Sequence, residues 1–171
     1  VVKESVLSLG GALLGVASES DVYYTSAHKD FIASEECLRI RTRDGKSELT
    51  WKPSTTARMR EERQYWKREV NVDVGSQALL VRELLQGLDF VEYVEVVKER
   101  TTFRIDDATV VVVDAIANLG VFVEIETMSE DEAAAVLKNA EIAKRLGLGS
   151  QRAVGVPYRD LVKAGRVYWA K

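Results

Sequence analysis

Cysteine occurs once in the 171 residues, at Cys37, histidine once and proline twice. A single cysteine excludes an internal disulfide and a cysteine-based zinc cluster. Two prolines and no low-complexity run exclude long disordered linkers. No apolar stretch approaches the roughly 20 residues that a bilayer-spanning helix needs. Lys3-Glu4 stand before a short apolar run broken by glycine, which does not read as a signal peptide. An excess of one charge is also missing. The formal net charge of -3 gives no general pull toward nucleic acid or an anionic membrane, so any anion binding must come from a local cluster. These absences predict a cytoplasmic protein with no nucleic-acid or membrane partner.

The hydrophobic share of 46% and charged share of 30% suit a soluble globular protein, and the length suits one domain spanning 1–171. Residues 5–16 read as a short apolar helix weakened by Gly10 and Gly11. A short strand follows at Asp21–Tyr24. Then CLRIRTR and KSELTWK flank Asp44-Gly45, the signature of a tight β-hairpin. A further alternating strand covers Trp66–Val74. Leu79, Leu80 and Leu84 mark a helix over Ser76–Gly87. Strands are expected near Val94–Arg104, Thr109–Asp114 and Val121–Thr127. Ser129-x-x-Glu132 reads as a capping box for a helix that carries Ala133, Val136, Leu137, Ala140 and Ala143 and stops at Gly147. A last short helix lies around Tyr158–Lys163. No internal repeat or domain boundary is visible. Strands dominate with helices between them, so the class is α+β with a mainly antiparallel sheet.

Alternation with period 2 puts every second side chain on one face of a strand. Arg39 and Arg41 share a face opposite Leu38 and Ile40; Thr50 and Lys52 oppose Leu49 and Trp51. Lys67, Glu69, Asn71 and Asp73 oppose Arg68, Val70, Val72 and Val74. Lys98, Arg100 and Arg104 align, as do Glu124 and Glu126 against Val123 and Ile125. For any one strand, a wet charged face over an apolar core explains this. Taken together, the charged faces are rich in arginine, and Glu-x-Glu repels itself unless a cation lies between. If the sheet curls with its charges inward, the cavity suits a polyanion. Guanidinium groups fork onto phosphate oxygens, lysines act as point charges, and Mg²⁺ or Mn²⁺ bridges carboxylate to phosphate.

Read in order, Asp21-x-Tyr23-Tyr24, Leu38-Arg39-Ile40-Arg41, Leu49-Thr50-Trp51-Lys52, Glu69, Lys98-x-Arg100, Asp114 and Leu119-Gly120-x-Phe122-x-Glu124-x-Glu126 resemble the CYTH superfamily. That superfamily joins class IV adenylyl cyclases, thiamine triphosphatases and inorganic tripolyphosphatases. The resemblance covers about residues 15–165. It implies a closed, mainly antiparallel β-barrel, the triphosphate tunnel, with helices packed outside. It implies that Arg39, Arg41, Lys52, Lys98 and Arg100 bind phosphates of a triphosphate-containing small molecule. Glu124 and Glu126 would hold Mg²⁺ or Mn²⁺ with Glu69 and Asp114 as helpers, and Lys52, Glu69 and Asp114 would serve catalysis. Two departures stand out. The superfamily's opening Glu-x-Glu-x-Lys strand is not visible, Val1-Val2-Lys3-Glu4-Ser5 being at best a remnant. Lys67-x-Glu69-x-Asn71 replaces the usual Arg-x-Glu-x-Glu, and Asn71 lacks the negative charge of the second Glu.

The resemblance implies metal-dependent phosphoanhydride chemistry. Hydrolysis is favoured, because no adenine-reading set is identified; cyclisation of ATP to cyclic AMP and pyrophosphate is the alternative. A non-catalytic polyanion-binding module and an ordinary interaction domain with a wet sheet face are the others. His28 reads as a loop residue with a solvent-exposed or local role. Cys37 falls on the charged phase without a partner, as a barrel-rim residue. Trp51 and Trp66 are expected to pack outward under helices. Arg58, Arg60, Glu61, Glu62 and Arg63 read as a charged loop, Gly120, Gly147 and Gly149 as turn and helix-stop positions. No Walker-type loop or dinucleotide fingerprint occurs.

Overall fold

A computed structural model describes residues 2–56, 67–151 and 153–165. The elements are α1 (Val2–Ser8), β1 (Ala12–Ser26), β2 (Cys37–Arg43), β3 (Lys46–Lys52), β4 (Val70–Gly75), α2 (Ala78–Gly87), β5 (Phe90–Arg104), β6 (Thr109–Ile116), β7 (Gly120–Thr127), α3 (Glu132–Arg145), a 3-10 turn (Leu148–Ser150) and α4 (Tyr158–Lys163). Among the described residues, seven strands form one sheet in the order β4-β3-β2-β1-β5-β6-β7. Ladders β1–β2, β2–β3, β3–β4 and β6–β7 are antiparallel. The α+β class therefore holds, but closure by hydrogen bonds does not: β4 and β7 are the ends of the order. A sheet loses its edges only when its last strand pairs with its first.

The start of the chain departs from expectation in two ways. Val2–Ser8 is helical, so residues 2–5 of the stretch considered as a strand remnant are not a strand. The helix stops well before residue 16, and Ala12–Val16 already belong to β1. Gly10 sits at φ +83, in the left-handed region, and the N–H of Gly11 returns to the carbonyl of Val6 at 3.0 Å. A Cβ on Gly11 would lie 2.7 Å from Val6 Cγ1, so the two glycines terminate the helix rather than weaken it. The hairpin is as expected. Asp44 and Gly45 take φ of 51 and 74, the two positive values that a type I′ turn needs.

Chain contacts divide the described residues into two compact units, one of 18–98 with 155–165, the other of 2–17 with 99–154. In the first, Val22, Tyr24, Phe31, Leu38, Ile40 and Leu85 form the core, with Leu49, Trp51, Ala78 and Val81 packed against it. The apolar faces of β1, β2 and β3 thus lie under α2, and Trp51 packs where expected. The helix uses another side than Leu79, Leu80 and Leu84 suggested; those three are exposed. In the second unit Val6, Phe103, Val111, Val113, Ile142 and Leu146 form the core, with Val123 and Ile125 against it. Here α3 buries Ala135 and Ile142 and leaves Leu137 exposed, and its N-cap is Asp131 rather than Ser129. Asp131 accepts from the N–H of Ala134 at 3.0 Å, while Ser129 folds back on the backbone of Asp131. The strand expected from Trp66 begins at Val70; Trp66 itself and the loop of Arg58, Arg60, Glu61, Glu62 and Arg63 lie outside the described residues.

Candidate functional site

The register of β1 against β2 builds the first charged cluster. Glu19 faces Arg43, Asp21 faces Arg41 and Tyr23 faces Arg39, all on the side away from the core of that unit. Asp21 accepts from Arg41 Nε at 2.6 Å and from Nη2 at 2.7 Å, a two-pronged pairing, with Arg39 Nη1 at 3.6 Å. Lys98, from β5, sits 3.5 Å from Glu19 and 3.6 Å from Asp21, and lies over the Tyr158 ring at 5.4 Å. Arg41 and Arg43 reach Glu19 at 3.4 and 3.5 Å. Four cations therefore share two carboxylates that are themselves buried.

Burial alone would raise the Asp21 carboxyl. The hydrogen bonds from Arg41 and the charges of Arg39, Arg41 and Lys98 outweigh it and hold the group well below the usual carboxylate range. Burial pushes the neighbouring Tyr23 hydroxyl up to about 12, so it stays protonated. Arg39 is part-buried among these groups, and its Nε, which is buried, meets no hydrogen-bond acceptor among the described residues. A buried donor left unpaired is costly, and a phosphate oxygen is the kind of acceptor that would satisfy it.

Beside this cluster, Thr50 pairs in register with Arg39 and Asn71, and Lys52 with Cys37. Lys52 Nζ donates to Glu69, and this contact, against the effect of burial, keeps the Glu69 carboxyl below its ordinary value. Cys37 lies on the charged phase; burial raises its thiol pKa, so it is a poor nucleophile. His28 is exposed and stands 3.3 Å from Asp89, a local role.

The second cluster belongs to the other unit. Arg100 of β5 donates Nε and Nη2 to Asp114 of β6 at 2.7 and 2.5 Å, and Nη2 to Glu124 of β7 at 3.0 Å. Its Nη1 is 3.5 Å from Glu126. Asp114 is fully buried, whereas Glu124 and Glu126 are 39% and 51% exposed. Among the described residues no three His, Cys, Asp or Glu side chains form an ion cage. Two half-exposed carboxylates on one strand face nevertheless offer hard oxygen donors of the kind Mg²⁺ and Mn²⁺ accept when a substrate supplies further oxygens. The residues present fit such a shared ion and do not fit an all-protein one.

Arg39, Arg41, Lys52, Glu69 and Lys98 thus fall in one unit, and Arg100, Asp114, Glu124 and Glu126 in the other. Glu19 and Arg43 were missed as members of the first cluster. Their signal was present: Glu19-x-Asp21-x-Tyr23 mirrors Arg39-x-Arg41-x-Arg43, but reading β1 from Asp21 onward hid it.

The model of the CYTH domain family matches residues 2–154. A protein of Methanocaldococcus jannaschii, whose name provisionally assigns it as an adenylate cyclase, is 26% identical over 163 residues, covering 94% of this chain and 90% of that protein. A Pyrococcus horikoshii protein of known structure superposes with a TM-score of 0.82 at 26% identity, covering 96% of this chain and 93% of that one. A Hippeastrum protein, described as a provisional adenylyl cyclase with a dominant triphosphatase activity, shares the fold at 16% identity and a TM-score of 0.69, over 98% of this chain and 91% of its own. No helix among the described residues is long and apolar enough to cross a membrane.

Proposed function

The chain belongs to the CYTH domain family, and on that premise we propose that it hydrolyses a phosphoanhydride bond of a triphosphate compound with the help of Mg²⁺ or Mn²⁺. The observation that carries this reading is the first cluster, where Arg39, Arg41, Arg43 and Lys98 converge on Glu19 and Asp21. Such an arrangement holds four cations in fixed positions before any ligand arrives, as electrostatic preorganisation requires. Arg39 and Arg41 grip phosphate oxygens with their guanidinium forks. Asp21 and Glu19 hold those forks and the Lys98 ammonium in position. Lys52 adds a point charge and Glu69 orients it. Glu124 and Glu126 would hold the divalent ion, which when bound supplies positive charge against the phosphate oxygens. Water attacks the terminal phosphorus, the P–O bond to the leaving phosphate breaks, and the arginines offset the charge that develops there.

The name of the Methanocaldococcus relative favours a second reading, in which a ribose 3′-oxygen attacks the α-phosphorus of ATP and pyrophosphate leaves. Hydrolysis is preferred because the first cluster grips phosphates without reading what is attached to them, and the Hippeastrum protein, with the same fold, is described as chiefly a triphosphatase. Steady-state kinetics on Arg39→Gln test the phosphate-grip role. Loss of this guanidinium should lower kcat/KM for tripolyphosphate by roughly a hundredfold, in keeping with charge-assisted contacts being about twice as strong as neutral ones. Unchanged kinetics would remove Arg39 from the site.

A further inference from the structure

Arg100 touches both of the carboxylates assigned above to a divalent ion, Glu124 at 3.0 Å and Glu126 at 3.5 Å. The two sides of its guanidinium differ in kind. Toward β6 it makes a buried, two-pronged pairing with Asp114. Toward β7 its partners are half-exposed, and contacts of that sort are weak and readily exchanged. A divalent ion close enough to bind Glu124 and Glu126, at about 2.1 Å for Mg²⁺, would displace this cationic edge from them.

We propose that Arg100 is the resident counter-ion of the Glu124–Glu126 pair and competes with the divalent ion for it, with Asp114 as the positioning residue that keeps the guanidinium beside the site once the ion has entered. The inference rests on the reading of Glu124 and Glu126 as ion ligands. Once displaced from the carboxylates, Nη1 and the outer edge of Nη2 can donate to an anion. Ion binding and anion binding by Arg100 therefore favour one another, and by linkage the coupling runs equally in both directions. Without the ion the Arg100 guanidinium partly offsets the two β7 carboxylates, which lessens the repulsion between like charges on one strand face.

The test titrates Mn²⁺ alone, without substrate, into wild type, Arg100→Gln and the double variant Arg100→Gln/Asp114→Asn, following the electron paramagnetic resonance signal of free Mn²⁺. The double variant is included because Arg100→Gln by itself leaves a buried carboxylate unpaired and can fail to fold. Both variants should bind Mn²⁺ roughly tenfold more tightly or better than wild type. Adding Glu124→Gln and Glu126→Gln to the double variant should abolish the gain. A purely structural Arg100 would leave the affinity unchanged or weaken it; either result in the folded double variant, with wild type binding Mn²⁺, overturns the competition while leaving the ion site standing. Failure of wild type and variants alike to bind Mn²⁺ overturns the ion site and the competition together.

Discussion

A carboxylate as buried as Asp21 stays ionised because arginines fixed across the strand ladder by register, and Lys98 beside them, hold it. The folded chain gives up this proton at lower pH than the unfolded chain, whose carboxyl titrates near 3.8. Stability from the Asp21 pairing is therefore fully present above that value and is lost as pH falls through the depressed folded pKa. Denaturation followed between pH 6 and 2 should show a steep acid loss in wild type and a shallower one, from a lower starting stability, in Asp21→Asn. Equal acid slopes in the two would show that Asp21 is not the group responsible. For Glu126→Gln the expectation is an intact fold with Mn²⁺- or Mg²⁺-dependent turnover reduced by roughly a hundredfold or more, because loss of even an outer partner typically weakens a metal site by about 10–100-fold. Full activity would place the ion elsewhere. At this scale the sequence was partly legible. Alternation placed Arg39, Arg41, Glu124 and Glu126 on the charged sides of their strands, but it could not reveal that Lys98 is nearly sealed between two carboxylates, since that depends on a partner strand far away in sequence.

Elements were readable where a local rule acts alone. Asp44-Gly45 dictates its turn through two positive φ values, and both appear. Helix faces were not, because α2 and α3 carry apolar residues on more than one side and the choice is made by the sheet against which they lie. Two substitutions probe the element ends. Gly11→Ala forces a Cβ to 2.9 Å from the carbonyl oxygen of Val6, which is backbone and cannot rotate away; thermal melting should show a loss of about 1–3 kcal/mol. Asp131→Ala removes the side-chain acceptor for the N–H of Ala134. About 1 kcal/mol of stability should go with it, whereas Ser129→Ala should cost less. A larger loss at Ser129 would restore the capping box.

For the whole molecule, the sequence pattern led correctly to an α+β protein and the motifs to the CYTH domain family, while the hydrogen-bonded order of the described strands ends at β4 and β7 instead of closing. The pattern of alternating faces says which side of each strand is charged; it does not say how a sheet ends, since that is decided by which backbone groups find a partner. Function at this scale is a question of which bond is broken. The decisive measurement is a product assay on the purified chain with tripolyphosphate, thiamine triphosphate and ATP, each with Mg²⁺, with Mn²⁺ and with a chelator. Hydrolysis predicts phosphate release that requires the ion, with little or no cyclic AMP from ATP. Cyclic AMP and pyrophosphate as the main products would contradict it in favour of cyclisation, and tight binding of all three compounds with no product would contradict catalysis altogether.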